Sequence, residues 1–178
     1  DIDWPQFMSQ QDMIWEKLPE YWYDSAFLGN GKLGLMIYKE PGENYIRLET
    51  GNCDVHDHRA KRDIFGIPRL LTGHFALRPK GEIISGQMRL DLWNAEASTD
   101  ITTTKGVIHL KTIVHADDMI IVVKATTEGD ENDFKWEWIA AEANSPRYLI
   151  FKRRGQTNKI PQDYELNPAP TISQNGNI

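Results

Sequence analysis

At 178 residues, with 40% hydrophobic and 26% charged positions, the chain is long enough to bury a core and matches neither a membrane-spanning nor a disordered composition. A net charge of −6, with Lys and Arg scattered rather than striped, argues against a nucleic-acid footprint. No run of about eighteen apolar residues exists, so no membrane span is expected. One cysteine, Cys53, excludes an internal disulfide framework and a thiolate-based zinc site, and reads as a small buried hydrophobe. The first residue is Asp1 rather than methionine, the trace that a cleaved secretion signal or a trimmed terminus would leave. The six tryptophans, Trp4, Trp15, Trp22, Trp93, Trp136 and Trp138, are spread along the chain, which favours packing roles for most of them.

Residues 1–24 read as an irregular or helical lead-in. Phe7, Met8, Met13, Ile14, Trp15 and Leu18 sit at spacings for a short helix, with Ser9 as a cap and Pro19 as a stop. A Gly-rich turn follows, and its Asn30-Gly31 pair is the strongest hairpin signal in the chain. Residues 33–39 and 45–49 read as strands joined by the turn Glu40-Pro41-Gly42-Glu43. Residues 70–78 suggest a strand interrupted by a bulge or bend at Gly73.

From Ile84 onward the alternation is clear. Gly86, Met88, Leu90 and Leu92 share one face, opposite Ser85, Gln87, Arg89 and Asp91. Lys105-Gly106 is a tight turn, after which Ile108, Leu110, Thr112 and Val114 share a face. The apolar run 119–123 reads as a central strand buried on both sides. Phe134, Trp136 and Trp138 give a strand with one aromatic face, and 148–152 a last short strand. From Arg153 polar residues dominate, so 153–178 is expected to be a polar C-terminal extension or an interrupted sheet edge. Evenly spaced strands with turns between them predict an all-β fold, an antiparallel β-sandwich over 25–152.

Chemistry-bearing patterns are sparse. The segment 29–34, GNGKLG, lacks the spacing of a phosphate-binding loop and reads as a hairpin with close backbone packing. In Asp54-Val55-His56-Asp57-His58-Arg59, an extended backbone would place Asp54, His56 and His58 on one face. That face suits a divalent metal, a polar rim to a cavity, or a solvated turn; His74, His109 and His115 lie on other elements. No acidic residue has a context that marks it as a raised-pKa acid, and no nucleophile elbow is present.

Phe27-Leu28-Gly29-Asn30-Gly31-Lys32-Leu33-Gly34 resembles the Gly-Asn-Gly-Arg-Leu-Gly signature near the N-terminus of glycoside hydrolase family 95, typified by α-L-fucosidases. Arg47-Leu48-Glu49 falls where that family has a Leu-Asn-Glu segment, and Leu90-Asp91-Leu92-Trp93-Asn94-Ala95-Glu96 resembles its Leu-Asp-Leu strand. Residues 107–123 are similar to the strand pair that follows. The loop 52–59 departs from the fucosidases. It is closer to a less characterised relative with an Asn-x-Asp-Val-Trp-Asp-His-Arg pattern, His56 standing in place of the Trp.

The resemblance covers roughly residues 20–127. It implies a galactose-mutarotase-like supersandwich, complete or interrupted, packed against a downstream (α/α)6 barrel of the same polypeptide. The barrel carries the catalytic carboxylates, so no catalytic residue is assigned here, and neither a metal nor a cofactor. Asn30, Lys32, Asp54, His56, His58 and Arg59 are the candidates for bordering a carbohydrate site. The implied setting is secreted or periplasmic. Two other readings compete: a free-standing carbohydrate-binding module using tryptophans such as Trp93, and a metal-dependent enzyme using Asp54, His56 and His58.

Overall fold

The computed structural model describes residues 1–57, 65 and 68–173. Helix α1 (Trp4–Ser9) opens the chain, and ten strands follow: β1 (Met13–Trp15), β2 (Ala26–Gly29), β3 (Leu33–Lys39), β4 (Ile46–Asn52), β5 (Gly73–Arg78), β6 (Ile83–Asp91), β7 (Glu96–Thr103), β8 (Gly106–Val114), β9 (Ile121–Gly129) and β10 (Lys135–Ala140). Helix α2 (Pro146–Arg153) and a 3-10 turn (Thr157–Lys159) end the regular structure. The strands form two five-stranded antiparallel sheets in the orders β1-β6-β7-β8-β9 and β10-β5-β4-β3-β2. The protein is an antiparallel β-sandwich, as the strand spacing predicts.

Two consecutive meanders, β2 to β5 and β6 to β9, make the two sheets. The flanking strands exchange: β1 joins the second meander beside β6, and β10 joins the first beside β5. Alternation then decides what is buried. Leu35, Ile37, Ile46, Leu48 and Leu77 from one sheet meet Met88, Leu90, Ala97, Ile101, Ile108 and Leu110 from the other in one core. Strand β2 lies opposite β6, β7 and β8, and β3 opposite β8. The sheets are therefore offset, and the inner side of β5 and β10 extends past its cover. Phe75 and Trp136 are each 40% exposed there, although their register puts them on the same side as buried Leu48, Ile46 and Leu77.

Several expectations are corrected. The first helix is earlier and shorter than its apolar spacing suggests. Asp3 is its cap, its side chain accepting from the Gln6 amide at 3.1 Å, and Pro5 sits in the first turn. Ser9 ends that helix, and Met13, Ile14 and Trp15 pair in register with Leu90, Arg89 and Met88 as an edge strand. Gly73 does not interrupt a strand; it starts β5, with φ of +134° and no room for a Cβ against the Ile139 carbonyl, 2.5 Å away.

The run 119–123 is not a central strand. Met119 and Ile120 precede β9, which lies at a sheet edge with Val122 facing outward. Residues 148–152 are helical, because Ser145-Pro146 starts α2 with its proline in the first turn. Leu92 belongs to the β6–β7 turn, and Cys53 is half-buried in a turn rather than in the core.

Side chains clamp the ends of the sandwich. Asn44, between β3 and β4, donates to the Gly81 carbonyl at 3.1 Å and accepts from the Ile83 amide at 2.8 Å. Glu131, fully buried between β9 and β10, accepts from the Lys80 and Gly81 amides and from Thr103 Oγ1 at 2.6 Å. Burial pushes its carboxyl up, but the bonds from Thr103 and the two amides outweigh this and hold it below the ordinary 4.5. The depressed value makes its stabilisation present above that pH and lost as pH falls through the folded value. Glu131→Ala should cost about 3 kcal/mol and lower Tm by roughly 10 °C at neutral pH. Thermal melts between neutral and acid pH should show the wild type losing more stability than the variant; parallel curves would deny the clamp.

Candidate functional site

Among the described residues, the sequence-derived candidates Asn30, Lys32, Asp54 and His56 gather at one end of the sandwich. Asn30 and Lys32 form the β2–β3 turn with Gly31, whose φ is +88°. The Cys53 amide donates to the Lys32 carbonyl at 2.8 Å, which joins this turn to the loop that follows β4. Asp54 is exposed beside it, with its amide donating to Asn52 Oδ1 at 2.8 Å. His56 pairs as an isolated antiparallel bridge with Arg69, and Asp57 is buried, its amide donating to the Pro68 carbonyl at 3.0 Å. His58 and Arg59 lie outside the described residues. Among the described residues, no three His, Cys, Asp or Glu side chains group closely enough to hold a metal ion.

Asn30 has a defined task. Its Nδ2 donates to the carbonyls of His115 at 2.9 Å and Asp118 at 3.1 Å, both in the β8–β9 connection. Its Oδ1 accepts from the amides of Lys32 at 3.0 Å and Leu33 at 2.8 Å. The amide therefore shapes the hairpin turn and ties one sheet to the other; Lys32, Asp54 and His56 are the neighbouring polar residues, next in sequence to the groove residues Leu33 and Val55.

Beside this rim runs an apolar groove of about 500 Å³. Leu33, Val55, Phe75, Met119, Ile120 and Trp138 supply its surface, with Thr50, Asn52 and Thr72 as polar points. Phe75 and Trp138 pack with ring centroids 4.6 Å apart, so the aromatic side of β10 expected from alternation is present and forms part of this groove.

The outer side of the β3-β4-β5 sheet carries a dense polar cluster that the sequence reading missed. Arg47 pairs with Glu40 at 2.9 Å and Glu49 at 3.2 Å, and Tyr38 Oη donates to Glu49 at 2.6 Å. Burial and the neighbouring Glu49 carboxylate push the Tyr38 hydroxyl well above the usual phenol range. His74, buried beside Tyr45, is held below the ordinary histidine value by desolvation and by Arg47. The two carboxylates are occupied by Arg47 and Tyr38, which suits structure rather than proton transfer. Register explains the cluster, since Met36, Glu49 and His74 are successive cross-strand neighbours.

A second and larger groove, about 710 Å³, is lined by Trp15, Tyr21, Tyr23, Lys17, Glu20 and Asp24 among others. Trp93 is apart from both grooves, exposed in the β6–β7 turn. Among the described residues, no helix is long and apolar enough to cross a membrane.

Neither a protein-family model nor a curated protein matches the chain.

The role of Asn30 can be measured directly. Asn30→Ala should destabilise the fold by about 2 kcal/mol through loss of the inter-sheet tie. Asn30→Asp, which keeps the accepting half but cannot donate, should also melt below the wild type. An Asn30→Asp protein as stable as the wild type would show that the two donated bonds contribute nothing.

Proposed function

We propose that the chain is a non-catalytic sandwich domain of a secreted or periplasmic glycoside hydrolase related to family 95, supporting and bordering the sugar site of a downstream (α/α)6 barrel. The observation that carries this reading is the exposed apolar part of the inner side of β5 and β10. Phe75, Trp138, Met119 and Ile120 present a continuous apolar surface there. An apolar surface of that kind, rimmed by polar groups, is characteristic of a docking face. The rim beside it is built from the motif residues Lys32, Asp54 and His56, so a domain seated on the groove would bring its own cavity against them. Glu40 and Glu49, a close carboxylate pair, are tied to Arg47 and offer no free acid and base for glycoside cleavage.

A free-standing carbohydrate-binding module is the second reading. The aromatic groove at Trp15, Tyr21 and Tyr23 favours it, because ring faces beside polar groups are how sugars are held.

The test is hydrolysis. Purified chain, assayed against a panel of aryl α- and β-glycosides including fucosides, should release nothing above buffer. Release that co-elutes with the chain through gel filtration would overturn the non-catalytic assignment.

A further inference from the structure

We propose that the groove between the lead-in segment and the start of β6 is a binding site for a neutral oligosaccharide. This deepens the second reading above, on which it rests, and does not depend on a barrel. The groove is lined by Trp15, Tyr21 and Tyr23 together with Lys17, Glu20, Asp24, Lys39 and Ser85. Three features point to the ligand.

The first is the aromatic surface. Tyr21 and Tyr23 stack with centroids 5.2 Å apart and planes 3° from parallel, and they are 48% and 63% exposed. Trp22 packs edge-on against Tyr23. Tyr21 and Tyr23, the two of these rings that line the groove, form a platform for the C–H face of a pyranose, which is apolar and flat enough to stack.

The second is that the platform is fixed in advance. Trp15 Nε1 donates to the Asp24 carbonyl at 2.7 Å, and Ser25 Oγ donates to the Trp22 carbonyl at 2.7 Å. The Lys39 amide donates to the Pro19 carbonyl at 2.8 Å, which pins the segment to the end of β3. A fixed platform loses little freedom on binding.

The third is charge. Lys17 and Lys39 balance Glu20 and Asp24, so these four give the groove no net charge. None of the four side chains has a hydrogen bond or ion pair among the described residues. Hydroxyl groups both donate and accept, so a polyol can bond carboxylates and ammonium groups together. An anionic or cationic ligand would satisfy only half of them.

An array of neutral and sialylated oligosaccharides, followed by calorimetric titration of the strongest neutral binder, tests the site in the intact chain. Tyr21→Ala and Tyr23→Ala should each weaken that binder by about ten-fold, the loss expected for one stacking ring. Trp93→Ala, which removes an exposed ring elsewhere, should leave affinity unchanged, and Tm should hold in all three variants. Failure of every neutral glycan at millimolar concentration would overturn the inference. So would preference for the sialylated set, or loss of binding in Trp93→Ala with none in the tyrosine variants. Those outcomes leave the non-catalytic role standing, whereas glycoside hydrolysis by the chain would remove that role and not this groove.

Discussion

One buried layer shared by two sheets is what every other feature of this protein depends on. Each Leu or Ile taken from water into that layer contributes about 2 kcal/mol, and the strands supply them from alternate positions only. A one-residue slip in any strand would turn Leu35 and Ile37, or Ile108 and Leu110, to solvent. The core thus sets the register, and register places the polar cluster of Arg47, Glu49 and His74 on the outer side. Because the sheets are offset, the same geometry leaves part of the inner side of β5 and β10, at Phe75 and Trp136, exposed. The apolar groove is a direct consequence of how the core is stacked.

The ends of the sandwich need a different interaction, since turns and crossovers have few apolar residues to bury. Here polar side chains satisfy backbone groups that strand pairing leaves over. Asn30, Asn44 and Glu131 each bond backbone groups from a separate connection. Glu131 can be fully buried because an ionised carboxylate that accepts several donors is stabilised rather than stranded. Phe65, Tyr148, Phe151 and Tyr164 form an aromatic group that holds α2 and the polar segment after it, with the Ser145 amide donating to Tyr164 Oη at 2.9 Å.

How much of this was legible depends on side-chain type. Strands β6 and β8 alternate apolar with polar residues, and β3 is an apolar run between two turn signals, so all three are readable at once. Strand β7 was not, because its buried side is Ala97, Thr99, Ile101 and Thr103, small or hydroxyl-bearing residues that look like a loop. Strand β1 was absorbed into a helical spacing that three residues cannot distinguish from a strand. The run at 119–123 was misplaced because burial on both sides and exposure at an edge have the same composition; only sheet order separates them. Of the site, the Asn30-Gly31 turn and its closeness to the loop after β4 were foreseeable from hairpin chemistry. The double role of Asn30 was not, since its partners lie 85 and 88 residues away. The Trp15, Tyr21 and Tyr23 groove had a visible signal in the aromatic run 21–23, but nothing local shows that a strand 60 residues later would wall it.

The functional account joins a sandwich whose Glu40 and Glu49 are tied to Arg47 to an exposed apolar patch next to a polar rim. Its most direct test is the coding sequence beyond Ile178. The account predicts a frame that continues into repeated pairs of amphipathic helices, the raw material of an (α/α)6 barrel that would cover Phe75 and Trp138. A stop codon directly after Ile178 would contradict it and leave the aromatic groove as the centre of the protein's function.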